Sequence, residues 1–144
     1  MAIKNQKFET YSQEQTCEFA ASFAKNLGKR KIVLLYGDLG MGKTVFCRAL
    51  IKALCGDNIE VPSPTFTLVQ SYDYDDGCIW HFDLYRLTDP SEVFELGWEE
   101  ALSDGVMLVE WPERLGNMTP KGAIKVSLSA HDTDPNGRVI EVSR

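Results

Sequence analysis

The stretch Gly37-Asp38-Leu39-Gly40-Met41-Gly42-Lys43-Thr44 decides the fold of this 144-residue chain. It follows an apolar run at residues 31–36 and precedes the helix-like residues 45–55. Strand, glycine loop and helix follow one another in this order in a phosphate-binding loop. The glycines allow a tight turn whose N–H groups surround an anion, and the helix start adds partial positive charge. In such a loop Lys43 contacts the outer phosphates and the Thr44 hydroxyl binds magnesium, so we expect a nucleoside-triphosphate site.

The composition indicates one domain spanning residues 1–144, large enough for a substantial core. Hydrophobic residues make up 44% of the chain and charged residues 25%, as in an ordinary soluble globular protein. The formal net charge of −6 means that the surface as a whole repels phosphodiester backbones. A broad nucleic-acid interface is therefore not expected, although a local basic patch stays open.

Cysteine usage and hydropathy both point to a cytoplasmic protein. The four cysteines form no CxxC pair and no metal-ligand spacing, so we expect reduced thiols. They are Cys17, Cys47, Cys55 and Cys78. No apolar run approaches the ~18 residues of a membrane span, and residues 1–7 lack the apolar core of a signal peptide.

Hydrophobic periodicity and turn residues predict an alternating α/β chain. Ser12 with Gln15 is a capping-box pattern that starts the first helix, and Gly28 is placed to end it. Strands are predicted at residues 8–11, 31–36, 66–74, 78–85, 106–109, 123–128 and 139–142, and further helices at 45–55, 90–96 and 98–102. We therefore expect a single α/β domain of the P-loop NTPase type, with a mixed, largely parallel central sheet flanked by helices.

Two acids stand at the ends of apolar strands, Asp83 after residues 79–82 and Glu110 after residues 106–109. Ligands of α/β sheets gather at the carboxyl edge of the strands. Hydrolysis of a bound triphosphate needs a magnesium ion and a group that orients water. We expect both acids in the site, sharing metal ligation with Thr44 and water positioning with each other, but the sequence does not assign the two roles.

Thr65 lies in a proline-bracketed segment, residues 61–67, directly after the nucleotide helix. A threonine there contacts magnesium or the terminal phosphate in many loop-type hydrolases and orders its segment only in the triphosphate state. The alternative is an ordinary turn residue after Pro64. His81, two residues before Asp83, shares that residue's face of the strand and is either a core histidine or a hydrogen-bonding partner of the site.

Other side chains are candidates for catalysis and base recognition. Arg86 and Arg114 are candidates for neutralising transition-state charge, and Trp111 is either a core residue or part of a partner interface. The chain has no Asn-Lys-x-Asp element after the glycine loop. Since that element reads guanine in GTPases, we expect adenine, with Thr10 and Tyr11 as one candidate neighbourhood for the base.

Five ordered motifs resemble the TsaE (YjeE) family of small bacterial P-loop ATPases. They are residues 37–44, 62–69 (Pro-Ser-Pro-Thr-Phe-Thr-Leu-Val), 81–86 (His-Phe-Asp-Leu-Tyr-Arg), 95–97 (Glu-Leu-Gly) and 110–113 (Glu-Trp-Pro-Glu). Met41 stands where the family commonly has alanine. The resemblance implies magnesium-dependent ATP hydrolysis in support of tRNA threonylcarbamoyladenosine formation. It also implies binding to the TsaB–TsaD complex, contact with tRNA only through that complex, and slow turnover until the partner completes the site.

Two other functions stay open on the residues alone. A small-molecule kinase uses the same loop, but it needs an acceptor pocket and a lid. A nucleotide-sensing binding module would change shape with ATP and hardly turn over.

Overall fold

The computed structural model describes residues 5–28 and 31–144. Residues 1–4, which belong to the segment predicted to lack a signal-peptide core, lie outside the described residues. The strands are β1 (Asn5–Thr10), β2 (Ile32–Tyr36), β3 (Val69–Tyr74), β4 (Gly77–Asp83), β5 (Val106–Glu110), β6 (Ile124–Ala130) and β7 (Arg138–Ser143). The α-helices are α1 (Gln13–Lys25), α2 (Lys43–Cys55) and α3 (Trp98–Leu102), and 3₁₀ helices span Pro90–Leu96 and Pro112–Met118.

The strands form one mixed sheet in the order β1-β7-β6-β2-β5-β4-β3, which confirms the predicted α/β class. The parallel pairings lie at the centre, between β6, β2, β5 and β4. The outer pairings are antiparallel. Because β2, β4 and β5 run the same way, the loop after β2 and the acids that end β4 and β5 meet at one edge of the sheet.

Each face of the sheet is covered by helical segments. Helices α1 and α2 bury one face, where Phe23, Phe46 and Leu50 are almost wholly inaccessible. On the other face Phe82 and Trp98 pack edge to face at 5.1 Å, beside the 3₁₀ helices. Full burial of side chains of this size contributes about 1.5–3 kcal/mol each, so both layers hold the central strands that carry the site. Within the described ranges, no helix has the length and apolar character needed to cross a membrane.

The helix starts follow the predicted capping chemistry. Ser12 Oγ accepts from Gln15 N at 3.1 Å, while the Gln15 side chain accepts from Tyr11 N at 2.8 Å, one residue before the cap. Asp89 caps the 3₁₀ helix Pro90–Leu96 in a similar way, since its side chain accepts from Ser91 N at 2.9 Å. That N–H bond is the main reason why the pKa of Asp89 lies below its ordinary value.

Two strands next to the site each have a wrongly predicted boundary, and one helix was not predicted. The strand predicted at residues 66–74 begins only at Val69, because residues 64–67 form a turn in which Leu68 N donates to the Pro64 carbonyl. The strand predicted at residues 78–85 ends at Asp83, where its side chain accepts from Tyr85 N at 3.0 Å and turns the chain. The 3₁₀ helix Pro112–Met118 was not predicted, since its proline and its glycine are turn signals.

Candidate nucleotide-binding site

The glycine loop joins β2 to α2 as predicted, and its glycines have distinct steric roles. A Cβ at Gly37 would lie 2.6 Å from the Leu128 carbonyl oxygen, so only glycine fits there. Gly40 and Gly42 have φ values of 84° and 100°, and a Cβ at either position would meet nothing within 4 Å. No side chain caps the start of α2 at Gly42. The loop backbone and the first turn of α2 therefore face open space of the kind that a phosphate group fills.

Lys43 is 5% exposed, and its ammonium group lies against its own loop. Nζ donates to the Gly37 carbonyl and, at 3.3 Å, to the Asp38 carbonyl, and it lies 3.7 Å from the centroid of the Trp111 ring. Burial lowers the pKa of Lys43, and nearby acids, Glu110 first among them, oppose that shift. Trp111 has a left-handed backbone, with φ of 58°, that positions its ring over this ammonium. A cation held by neutral carbonyls and an aromatic face is well placed to exchange them for phosphate oxygens.

Glu110 is the acid that contacts the glycine loop. It is 2% exposed, and its Oε1 accepts from Thr44 Oγ1 at 2.8 Å. Its second oxygen, Oε2, lies 2.7 Å from His81 Nε2. One carboxylate oxygen is thus bonded to the hydroxyl predicted as a metal ligand, and the other is bonded within the sheet.

Asp83 lies directly beside Glu110 in the parallel register of β4 and β5. It is 4% exposed, and its Oδ2 accepts from Thr65 Oγ1 at 3.1 Å. The Thr65 hydroxyl also lies 2.8 Å from Ser63 Oγ. Each acid is therefore matched with a different threonine, Glu110 with Thr44 and Asp83 with Thr65.

These groups line a cavity of about 380 Å³ at the carboxyl edge of the sheet. Its walls include Leu39, Gly40, Met41, Gly42, Lys43, Thr44, Val45, Thr65, Asp83, Tyr85, Glu110 and Trp111. Gly37 and Asp38 were also predicted to bind the nucleotide, but they stand behind the wall and offer their carbonyls to Lys43. The other predicted site residues all meet at this cavity.

A second cavity, of about 270 Å³, adjoins the opposite side of the loop and shares Met41, Gly42 and Val45 with the first. Tyr11 lines it, whereas Thr10 is buried and bonded through its hydroxyl to Thr16 at 2.7 Å. Only one member of the candidate base neighbourhood therefore reaches a cavity.

Arg138 on β7 is a residue of this region that sequence reasoning missed. Its Nε donates to the Met41 carbonyl at 2.9 Å, across 97 positions of sequence, and it lines the second cavity. An isolated arginine at the start of a closing strand has no local sequence signal, so only the fold reveals this contact.

The remaining candidates lie away from the two cavities. The guanidinium of Arg86 lies 5.0 Å from the Phe66 ring and that of Arg114 lies 5.6 Å from the Tyr85 ring, and neither side chain lines the main cavity.

All four cysteines are free thiols, as expected. The cysteines have no metal-ligand spacing along the chain, but the fold brings one of them close to other potential ligands. In the fold Cys47, His81 and Glu110 bring potential ligand atoms within 4.8 Å of one another. Burial raises the pKa of Cys47 well above its ordinary value, which favours the neutral thiol.

The glycine loop joins the central strand β2 to helix α2, and acids end β5 and β4, the next two strands in the sheet. This arrangement defines a P-loop-like α/β domain. A family model described as "Threonylcarbamoyl adenosine biosynthesis protein TsaE" matches residues 10–140. The chain belongs to the TsaE family, and it is thereby a P-loop ATPase-type protein of tRNA threonylcarbamoyladenosine biosynthesis.

Relatives and a solved structure agree with this membership. The chain is 47% identical over 134 residues to the tRNA threonylcarbamoyladenosine biosynthesis protein TsaE of Rickettsia bellii, covering 93% of both chains. It is 37% identical to the protein of the same name from Haemophilus influenzae, with 85% of this chain and 80% of that one aligned. The crystal structure of YdiB from Bacillus subtilis superposes with a TM-score of 0.76 at 26% identity, covering 99% of this chain and 87% of that chain.

Proposed function

We propose that this protein binds ATP with Mg²⁺ and hydrolyses it in support of tRNA N6-threonylcarbamoyladenosine formation. The observation that carries the proposal is the pairing of two neighbouring acids with two threonine hydroxyls, Glu110 with Thr44 and Asp83 with Thr65, at the mouth of the glycine loop. Family membership accounts for the biosynthetic role, and the proposal adds the chemistry.

Phosphate binding falls to the loop and to Lys43. The open space beside Gly40 and Gly42 admits phosphate oxygens to the backbone. Lys43 then exchanges the carbonyls of Gly37 and Asp38 for phosphate, a charged partner that offsets the burial of its ammonium. Trp111 covers that ammonium and keeps water from it.

The donor set at Thr44 and Glu110 fits magnesium, which prefers hard oxygen ligands. Thr44 Oγ1 and Glu110 Oε1 are 2.8 Å apart, so a single small cation can contact both once the hydroxyl gives up its bond to the acid. When bound, the ion would neutralise charge on the phosphates. We therefore assign metal binding to Glu110 and Thr44, and their hydrogen bond beside the glycine loop supports the choice of Glu110 over Asp83.

Asp83 is then the water-orienting candidate. Its Oδ1 is held by the backbone N–H of Tyr85, and this bond directs Oδ2 toward Thr65 and the cavity. A carboxylate oxygen fixed in this way accepts a proton of the attacking water and holds the water in line with the terminal phosphate. Thr65 contributes a hydroxyl that senses whether that phosphate is present.

We assign the adenine base to the second cavity, on the Tyr11 side of the loop. The cavity is continuous with the loop through Met41 and Gly42. Tyr11 is 47% exposed, and its ring, which contacts the His131 ring at 5.2 Å between centroids, is the aromatic group of this cavity on which a base can stack. Ser12 and Asn136 offer polar groups for the base edge.

The partner of the proposed ATPase is the TsaB–TsaD complex, with tRNA contacted only through it. Leu39, which lines the main cavity, and Phe66, next in sequence to the lining residue Thr65, are 70% and 82% exposed, which suits burial against a protein. Arg86 and Arg114 stay outside the cavity wall, so neither serves as an arginine finger in this conformation. We expect slow turnover alone, in the cytoplasm, by a single domain spanning residues 1–144.

The test is phosphate release from Mg-ATP with and without purified TsaB–TsaD, with Lys43→Ala as the inactive control. Stimulated release without any added acceptor supports the hydrolase. Release that requires a small-molecule acceptor would support the kinase. Partner affinity that differs between ATP and ADP, without release even in the complex, would support the sensing module.

A further inference from the structure

His81 contacts Glu110 of the site from within the sheet, and the proposed function gives it no role. It is fully buried on β4, and its Nε2 lies 2.7 Å from Glu110 Oε2. Since a carboxylate only accepts, Nε2 carries the proton of this hydrogen bond. Among the described residues, Nδ1 has no hydrogen-bond partner although it is buried.

The two acids are anchored in different ways. Asp83 has a short side chain, and its Oδ1 is held by a backbone N–H that every residue at position 85 except proline supplies. Glu110 has a longer side chain with an additional rotatable bond, and its anchored oxygen is held by the side chain of His81. The other oxygen of Glu110 bonds to Thr44, and that bond is exchanged when Thr44 takes up its role at the metal. Once Thr44 binds the metal, the carboxylate of Glu110 is still oriented, among the hydrogen bonds of the described residues, by its bond to His81.

We propose that His81 is a positioning residue, which donates from Nε2 to Glu110 Oε2 and so keeps Oε1 directed at the magnesium position beside Thr44. The inference rests on the proposed function, because it takes Glu110 as the metal ligand. Hydrogen bonds to the distal oxygen of a metal-binding carboxylate restrict its orientation, and their removal typically lowers metal affinity 10- to 100-fold.

Three substitutions separate this role from a packing role. Glutamine places an amide N–H near the position of Nε2, whereas asparagine, one methylene shorter, places its amide near Nδ1. His81→Gln keeps a donor for Glu110, His81→Asn keeps polarity but loses the donor, and His81→Leu removes both. Gln and Asn both bury an amide group in the core, so a difference between the two variants in Mg²⁺ requirement reports on the position of the donor.

The measurement is the affinity of the protein for a non-hydrolysable ATP analogue as a function of Mg²⁺ concentration. The affinity for ADP in the presence of EDTA is the metal-free reference. We expect His81→Asn and His81→Leu to need about 10- to 100-fold more Mg²⁺, His81→Gln to stay within a few-fold of wild type, and all to bind ADP normally in EDTA. In a Glu110→Gln background, His81→Leu should add no further loss, because His81 acts through Glu110.

The outcomes distinguish the two proposals. If the affinity of the wild-type protein for the analogue does not depend on Mg²⁺, both the proposed function and this inference are overturned. A wild-type protein that responds to Mg²⁺ while His81→Asn responds equally well overturns the positioning role alone. Equal loss of metal-free ADP binding in Asn and Gln variants also overturns it, since that result indicates a packing defect. If His81→Leu does not fold, the comparison of Gln with Asn decides the matter.

Discussion

Thr65 and Asp83 meet at 3.1 Å, hydroxyl to carboxylate, although 18 positions separate them in sequence. This bond attaches the proline-bracketed segment to the end of β4, inside the cavity wall. Pro64 is buried and Pro62 exposed, and Val61 at the start of the segment is buried, with its carbonyl accepting from Arg48 Nε at 3.0 Å. Because a bound ligand shifts an equilibrium only through contacts that differ between the states, Thr65 is placed to make such a contact with the terminal phosphate.

We expect Thr65→Ala to keep ADP affinity near wild type, to lower the preference for ATP over ADP, and to uncouple hydrolysis from partner binding. Limited proteolysis of residues 61–67 should slow with an ATP analogue and magnesium but not with ADP. Thr67→Ala is the matched control, since Thr67 is exposed and bonded only to Gln70 among the contacts seen. Equal protection by both nucleotides would show that Thr65 is an ordinary turn residue.

Lys43→Ala should abolish hydrolysis and weaken nucleotide binding while the fold survives. The lysine has neutral carbonyls and an aromatic face as its closest partners, so its removal takes away a buried cation without leaving an unpaired acid. Nucleotide affinity by calorimetry and the thermal unfolding midpoint check the two halves of this expectation. Lys52→Ala, in the last turn of the same helix, controls for charge. A Lys43→Ala protein that unfolds or hydrolyses normally contradicts the assignment.

Glu110→Gln and Asp83→Asn should each lower turnover about a hundredfold or more, on the scale seen when a preorganised catalytic group is removed. Their magnesium dependence should differ. High Mg²⁺ should restore part of the activity of Glu110→Gln, because that variant loses a metal ligand, but none of the activity of Asp83→Asn. Steady-state turnover against Mg²⁺ concentration measures the difference, with the exposed Glu113→Gln as the control. The reverse pattern of rescue would exchange the two roles.

Cys47 should resist alkylation in the native protein, whereas the three partly exposed cysteines should react. Cys47 is fully buried, and burial raises its pKa well above the ordinary value, so little thiolate forms at neutral pH. Mass mapping of modified thiols under native and denaturing conditions measures this. Rapid native labelling of Cys47 would mean that α2 opens away from the sheet.

The features that sequence predicted are those with a short local signature. The glycine loop needs eight consecutive residues, and an acid that ends an apolar run marks a strand end wherever the strand lies in the sheet. Thr65 was placed by its position between the nucleotide helix and the β3–β4 hairpin. These residues converge because parallel neighbours share one carboxyl edge.

The features that sequence missed depend on contacts between distant segments. Nothing local indicates that Glu110 bonds to Thr44 and Asp83 to Thr65 when the opposite matching has the same chemistry. The turn at residues 64–67 overrides a strand-like composition because the Pro64 carbonyl captures the N–H of Leu68. Residue propensities cannot anticipate such a capture.

Arg138, near the end of the chain, stabilises the glycine loop through a hydrogen bond to Met41. Its Nε donates to the Met41 carbonyl at 2.9 Å, and its Nη1 donates to the Gly137 carbonyl at 2.7 Å. The planar guanidinium thus joins the glycine loop to the β6–β7 hairpin, and a lysine cannot reproduce both bonds. Arg138→Ala should weaken ATP and ADP binding alike, by several-fold to tenfold, because the support lies on the side of the loop that both nucleotides share. Turnover at saturating ATP should change little, since the acids and threonines are untouched.

Nucleotide affinities by calorimetry and kcat at saturation separate these effects for Arg138→Ala. Arg138→Lys should resemble Arg138→Ala, while Lys125→Ala, which removes an exposed positive charge from the neighbouring strand, should resemble wild type. A large fall in kcat with unchanged affinity would instead make Arg138 part of the catalytic machinery, because a residue that only supports the loop acts on binding before chemistry begins.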